Sequence, residues 1–283
     1  MAKLDFLTKN EPKKMNPFIK RTITALVMLP VVIGALWQGY PFVDVLALMV
    51  GVLLAWEWAN MVPNRTSGAY LSAYAISVAV SLLVYDASVT AATIVLAAMY
   101  VWFKARKENH RYLLTLGVPY ISVGVGSLVW IYHNIFIYHP YDFYMTLWFF
   151  LMVWSMDIGG YIVGSNLKGP KLAPKISPNK TWSGLTGGIL LAVAVSMIYF
   201  YALSFFGVVR SEYQFQVFYA ALGGLIAAVS QIGDLIESAI KRHLNLKDSS
   251  NLIPGHGGVF DRVDGLIFAA PFVYLLFAYA LRY

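Results

Sequence analysis

The chain has 283 residues, of which 59% are hydrophobic and 12% are charged, and its formal net charge is +7. Ordinary soluble domains carry about 25% charged residues, so this composition excludes a typical soluble protein and predicts an all-α polytopic integral membrane protein. The sequence contains no cysteine, which excludes disulfides, a thiolate metal site and a cysteine nucleophile.

The amino terminus is a basic, polar tail rather than a secretory signal. Apolar segments follow it, and nine are long enough to be read as spans of about 30 Å of hydrocarbon. They cover residues 22–39, 42–62, 69–85, 88–103, 112–133, 143–166, 183–206, 214–241 and 259–281. We divide the chain into a cytoplasmic tail (1–21), amino-terminal transmembrane helices (22–110) and a transmembrane catalytic region with a cytoplasmic-facing polar cavity (111–283).

Loops rich in Lys and Arg alternate along the chain with loops that contain almost none. With nine segments, nineteen of the twenty-one Lys and Arg residues lie on one side of the membrane, and only Arg210 and Arg282 lie on the other. The positive-inside rule makes the basic side cytoplasmic, so the amino terminus is inside and the carboxy terminus outside. The positive charge fits an anionic inner leaflet and requires no nucleic acid.

Three features of the apolar segments stand out. Glu57 lies within the second segment, and structural and functional readings of it are equally open. Asp157 lies in the middle of the sixth segment, where a lone carboxylate is costly, so we expect it to face a hydrated cavity or a partner cation. Gly160 and Gly164, four residues apart, predict a close contact with another helix.

The loop after the sixth segment is rich in proline and lysine. Lys168, Lys171 and Lys175 are explained by the positive-inside rule alone. Lys180 stands next to the start of the seventh segment and is the better candidate for binding phosphate. Hydroxyls of Ser177 and Thr181, together with backbone amides at that helix start, add donors for an anion.

The second polar cluster spans residues 230–265. Asp234, Ser238 and Lys241 share one helical stripe, and Glu237 is placed to pair with Lys241. A polar loop carries Lys247, Asp248, His256, Gly257 and Gly258, and the ninth segment begins with Asp261, Arg262 and Asp264. Carboxylates beside basic residues suit Mg²⁺ carrying a phosphorylated substrate. The alternative is that these charges only cap helices and solvate a loop.

The same cluster closely resembles the signature of the phosphatidate cytidylyltransferases, or CDP-diacylglycerol synthases. The matching residues are 238–242, 247–248 and 254–264, and Asp157 with residues 177–181 resembles an upstream motif of that family. The resemblance implies transfer of the cytidylyl group of CTP to phosphatidate with Mg²⁺, giving CDP-diacylglycerol and pyrophosphate. It also implies a helical homodimer in the inner membrane whose active site opens to the cytoplasm. Whether a second cation binds is left open.

We therefore assign roles within the cluster. Asp234, Asp261 and Asp264 are assigned as metal ligands, with Asp157 as a fourth acid and with Lys241 and Arg242 as catalytic cations. The residues assigned to substrate binding are Ser177, Lys180, Thr181, Ser238, Lys247, Asp248, His256, Gly257, Gly258 and Arg262. On this assignment, Asp261→Asn leaves a folded, nearly inactive protein with weakened Mg²⁺ dependence. The expected partners are CTP, phosphatidate and membrane lipids.

Two other functions remain open. A CTP-dependent lipid kinase of the polyprenol or phytol type would pass the terminal phosphoryl group to an alcohol and would need a general base. A transporter would also place acids inside the membrane, but the sequence shows no internal repeat. Pyrophosphate as the product, rather than CDP, distinguishes cytidylyl transfer from the kinase reaction.

Overall fold

The computed structural model describes residues 17–84, 86–135, 141–209, 213–253, 255 and 257–280. Within these ranges each predicted apolar segment corresponds to one α-helix. The helices are α1 Pro17–Gln38, α2 Phe42–Met61, α3 Ser67–Leu83, α4 Ala87–Lys104, α5 Arg111–Trp130, α6 Tyr141–Leu167, α7 Trp182–Phe205, α8 Tyr213–His243 and α9 Phe260–Leu275. Short 3₁₀ or π-helical segments extend α4, α5 and α9, at Ala105–Lys107, Ile131–Ile135 and Leu276–Ala280. Most of the predicted basic tail, residues 1–16, lies outside the described residues.

The helices have the composition of membrane spans. Among the described residues, seven helical stretches are long and apolar enough to cross a bilayer: Phe42–Met61, Ala87–Lys107, Arg111–His133, Asp142–Leu167, Trp182–Phe205, Tyr213–His243 and Phe260–Tyr279. Leu26–Gln38 and Ser67–Leu83 are apolar but shorter. The prediction of a helical, polytopic membrane protein is confirmed, whereas nine crossings and the orientation of the termini stay predictions.

A small β-hairpin interrupts the helical bundle between α6 and α7. Strand β1, Lys171–Ala173, pairs antiparallel with β2, Ser177–Thr181, so that Lys171 lies opposite Thr181. The sequence pattern predicts only a loop in this stretch, so the all-α fold expected from the sequence is corrected to a helical bundle with one short hairpin. Prolines at 170, 174 and 178 disfavour a continuing helix. In the hairpin, the extended backbone of each strand finds hydrogen-bond partners in the other strand.

Two large hydrophobic clusters form most of the core. The first joins α2, α3 and α5 to the ends of α8 and α9, around Trp58, Tyr74 and Phe260. The second joins α6, α7, α8 and α9, around Trp148 and Phe200. The first cluster contains residues from both sides of position 110, where the sequence analysis divided the chain, so the core is continuous across that point.

Helices α6 and α7 contact each other through glycines. A Cβ atom built on Gly159 would lie 2.9 Å from the carbonyl oxygen of Gly187, and one on Gly184 would lie 2.8 Å from the carbonyl oxygen of Gly160. A Cβ on Gly164 would lie 3.3 Å from Cα of Gly184. Only glycine lets the two backbones approach this closely. The close contact predicted for Gly160 and Gly164 is confirmed, and it draws Asp157 on α6 towards the hairpin that precedes α7.

Candidate active site

Three carboxylates meet where α8 packs against α9. Oxygen atoms of Asp234, Glu237 and Asp264 all lie within 4.8 Å of one another, and we call these residues the carboxylate triad. Small residues allow the helices to come this close, since a Cβ on Gly233 would lie 3.0 Å from the carbonyl oxygen of Asp264. Like charges at such distances repel each other unless cations compensate them. Clustered carboxylate oxygens are the ligands that Mg²⁺ takes, so the triad fits the metal expected from the sequence.

Two lysines compensate the triad from within the protein. Lys180, at the end of β2, forms an ion pair with Asp234. The buried Nζ of Lys241 lies 2.6 Å from Oε2 of Glu237 and 2.5 Å from Oδ1 of Asp261. The predicted pairing of Glu237 with Lys241 is confirmed. Buried charges are stable only when paired, and the ammonium group of Lys241 is paired both with Glu237 of the triad and with Asp261 of α9. Lys241 therefore links the triad to the start of α9.

Asp261 makes a different set of contacts from the triad. Its Oδ2 accepts hydrogen bonds from the amides of Ser249 (2.9 Å) and Gly258 (2.8 Å) and from the Ser249 hydroxyl (3.0 Å), while Oδ1 accepts from Lys241. These donors use both oxygens to fasten the α8–α9 loop to α9. The structure thus brings Glu237, rather than Asp261, together with Asp234 and Asp264. Sequence spacing could not reveal that loop amides contact Asp261.

Glu57 closes the same loop from the opposite side. Only 1% of its surface is exposed, and its carboxylate accepts from the amides of Val259 (2.8 Å) and Phe260 (2.7 Å). The Ser250 hydroxyl also donates to it, at 2.6 Å. A carboxylate at unpaired amides stabilises a helix amino terminus, so Glu57 caps α9 from α2. The structural reading of Glu57 is the one these contacts support, and Ser249 and Ser250 are loop partners that the sequence analysis missed.

Further charged groups lie near the triad. The Asp157 side chain is exposed on the surface of α6 and lies within electrostatic range of Asp234, Lys180 and Arg262. Asp264 interacts in the same way with Asp234, Asp157 and Lys180. Elements that are distant in the sequence, namely α6, β2, α8 and α9, therefore bring charged groups to one place. We call this place, formed by Asp157, Lys180, Asp234, Arg262 and Asp264, the acidic cleft.

Two residues assigned to substrate binding, and one assigned as a catalytic cation, instead make contacts within the protein. The Thr181 hydroxyl accepts from the amide of Gly184 at 3.1 Å and caps α7. The Gly258 amide donates to Asp261, so it is not open to a nucleotide. The exposed Arg242 donates to the carbonyl oxygens of Ile176 (3.3 Å) and Leu246 (3.0 Å), which ties the end of α8 to the hairpin.

The remaining assigned residues have different environments. Ser238 donates a hydrogen bond to Oδ1 of Asp234 at 3.3 Å. Ser177 is half-buried in β2, and Lys247 and Asp248 are exposed on the α8–α9 loop. Gly257 has φ +84°, a conformation that favours glycine. His256 lies outside the described residues.

Comparisons with known proteins cover almost the whole chain. A model described as "Cytidylyltransferase family" matches residues 19–280. A protein of Brucella suis biovar 1 (strain 1330), named phosphatidate cytidylyltransferase, is 34% identical over 264 residues, covering 92% of this chain and 93% of that relative. Proteins of the same name from Rickettsia bellii (strain RML369-C) and Bacillus subtilis (strain 168) are 37% identical over 175 residues and 43% identical over 129 residues. These alignments cover 62% and 45% of this chain, and 73% and 45% of the relatives.

Proposed function

This chain belongs to the cytidylyltransferase family, and we propose that it transfers the cytidylyl group of CTP to phosphatidate, releasing pyrophosphate and forming CDP-diacylglycerol. Relatives named for this activity match the chain over most of its length. The observation that carries the proposal at the level of residues is the acidic cleft, where carboxylates and cations from four separate elements converge. Such a site suits the handling of two phosphorylated molecules.

The reaction needs alignment more than proton transfer. A phosphate oxygen of phosphatidate bonds to the α-phosphorus of CTP, and the bond from that phosphorus to the bridging oxygen breaks, so pyrophosphate leaves with the electron pair. The attacking oxygen is already an anion, so no covalent protein nucleophile is required. Lys180 and Arg262, at the cleft, are placed to bind and orient phosphate groups and to offset their charge.

We assign the metal to the carboxylate triad. Asp234 and Asp264 keep the role expected from the sequence, and Glu237 takes the place expected for Asp261, because the oxygens of Asp261 accept hydrogen bonds from the loop. When bound there, Mg²⁺ would supply positive charge to the phosphate oxygens of the nucleotide. Asp157 is a further acid at the cleft, and Lys241 positions Glu237.

We further infer that the protein lies in the inner membrane with the acidic cleft facing the cytoplasm. The inference follows from the nineteen basic residues that the nine-segment topology gathers on one side. That side includes the hairpin and the α8–α9 loop, which border the cleft. The homodimer implied by the family resemblance stays a prediction.

The decisive experiment identifies the products. Purified protein in detergent is incubated with Mg²⁺, phosphatidate and CTP labelled at the α-phosphate. We expect the label in the lipid fraction and unlabelled pyrophosphate in solution. Label recovered in CDP would support the lipid kinase instead, and CTP-dependent turnover in detergent, where there are no compartments, would exclude transport as the sole activity.

A further inference from the structure

An apolar cavity of about 320 Å³ lies among α1, α2, α5, α6 and α9. Its walls include Val32, Leu36, Val50, Val129 and Phe150. This volume lies within the range of about 300–1,000 Å³ that is common for small-molecule sites. Among the described residues that line the cavity, Arg262 is the one charged side chain.

The cavity runs along the helices, and Arg262 lies at one end of it. Glu57, in the last turn of α2, contacts the start of α9, so the first turn of α9 lies at that end of the bundle. Leu36 and Val43 flank the turn between α1 and α2 at the opposite end, where they pack with Tyr132 and Phe143. The cavity residues Thr24 to Leu36 extend about 18 Å along α1 at 1.5 Å per residue.

The charged end of the cavity meets the acidic cleft. Arg262 lines the cavity and also lies within electrostatic range of Asp157 in the cleft. A guanidinium group binds phosphate through two parallel hydrogen bonds. Each methylene group that an apolar cavity shields from water makes the free energy of binding more favourable. A long apolar space with one cationic end therefore complements an anionic head carrying a hydrocarbon tail.

We propose that this cavity, the acyl cavity, receives one acyl chain of phosphatidate while the lipid phosphate lies beside Arg262. This inference deepens the proposed function and rests on it, because the occupant is the proposed substrate. The acyl chain in the cavity would hold the lipid in place and orient its phosphate towards the acidic cleft. The chain length that the cavity admits would then set which phosphatidates react fastest.

A pair of cavity-filling variants tests this assignment. Ala47→Phe adds a ring to the acyl cavity, and the matched control Ala91→Phe adds one to a separate cavity of about 220 Å³ lined by residues of α3, α4 and α5. We expect Ala47→Phe to lower kcat/KM for dioleoyl phosphatidate by at least about tenfold, which corresponds to withdrawing two methylene groups from the site. Dihexanoyl phosphatidate should react as in the wild type, and Ala91→Phe should leave the ratio of the two substrates unchanged. An unchanged ratio in folded Ala47→Phe overturns the proposal.

A binding measurement separates this inference from the proposed reaction. Phosphatidate with a photoactivatable diazirine at the end of one acyl chain is irradiated with the wild-type protein in the absence of CTP. Label on the peptides that contain Leu36 and Val43, and much less label from the matching neutral diacylglycerol, supports the acyl cavity even if no cytidylyl transfer is detected. Equal labelling by both lipids, or label confined to the outer helix surfaces, means ordinary bilayer contact and overturns it.

Discussion

At the scale of single residues, the carboxylates near the α8–α9 loop divide by what they contact. Oxygens of Asp234, Glu237 and Asp264 face one another, and lysines compensate their charge. Asp261 and Glu57 instead accept hydrogen bonds from backbone amides of the loop and of α9. The first group could hold a cation, as we propose, and the second group holds the backbone, so substitutions in the two groups should give different phenotypes.

Substitution of Asp264 and of Asp261 should separate metal binding from stability. Asp264→Asn removes a ligand of the triad, so we expect the Mg²⁺ concentration for half-maximal activity to rise at least about tenfold. Asp261→Asn leaves Lys241 with an incomplete set of buried partners, and we expect it to lower the free energy of unfolding by about 3 kcal/mol. Mg²⁺ titrations of activity and thermal melts in detergent measure the two effects. If Asp261→Asn melts normally but shifts the Mg²⁺ titration, Asp261 is a ligand after all.

Glu57→Ala should destabilise the protein although it lies far from the triad in sequence. The substitution leaves the amides of Val259 and Phe260 buried without acceptors, each at a cost of about 1–3 kcal/mol. The melting temperature should fall, and activity should fall with it. Glu108→Ala is the control, because that half-exposed carboxylate accepts one bond, from the amide of Arg65, and the change should stay within about 0.5 kcal/mol. Equal melting temperatures for the two variants would contradict the capping role of Glu57.

At the scale of elements, the glycine contact between α6 and α7 makes a direct prediction. In Gly159→Ala the new methyl group would lie 2.9 Å from backbone atoms of Gly187 and Gly188, and overpacking of this kind costs about 1–3 kcal/mol. Gly34→Ala on α1 is the matched control, since nothing lies within 4 Å of its Cβ position. That change should be neutral or stabilising by up to about 1 kcal/mol, the difference in helix propensity. Melting temperatures that fall equally in both variants would argue against a close backbone contact.

We expect one lysine of the hairpin, Lys180, to contribute to catalysis. Lys180 forms an ion pair with Asp234, whereas Lys175 is exposed in the hairpin turn. We expect Lys180→Ala to reduce kcat by about a hundredfold, the size of effect seen when one group that stabilises transition-state charge is removed. Lys175→Ala should leave kcat unchanged. Similar losses in both variants would mean that the hairpin contributes only general positive charge.

The sequence predicts the helices well and the contacts of the site less well. Long apolar segments identify themselves by composition, so each segment predicted between residues 22 and 281 is matched by a helix. The hairpin has strands of three and five residues, too short for a recognisable alternation. The contact of Glu57 with Val259 joins residues 202 positions apart, and no local pattern encodes it. Glu237 is the member of the triad that spacing could have indicated, since it lies one turn after Asp234 on α8.

At the scale of the whole molecule, the orientation in the membrane can be tested directly because the chain contains no cysteine. Lys175 and Phe206 are exposed near opposite ends of α7, a helix of 24 residues and so about 36 Å long. A membrane-impermeant maleimide added to intact cells should label Phe206→Cys. It should label Lys175→Cys only after the membrane is opened. The reverse pattern would place the acidic cleft on the outer side.

The cap that Glu57 places on α9 has a consequence for shortened versions of the chain. A fragment that begins after α2 would retain every acid and lysine of the cleft, yet it would lack the group that receives the amides of Val259 and Phe260. Helix α9 would then begin without the carboxylate that caps it, and the position of Asp264 relative to Asp234 would no longer be fixed. Amino-terminal truncations should therefore abolish activity although they leave every charged side chain of the acidic cleft in place.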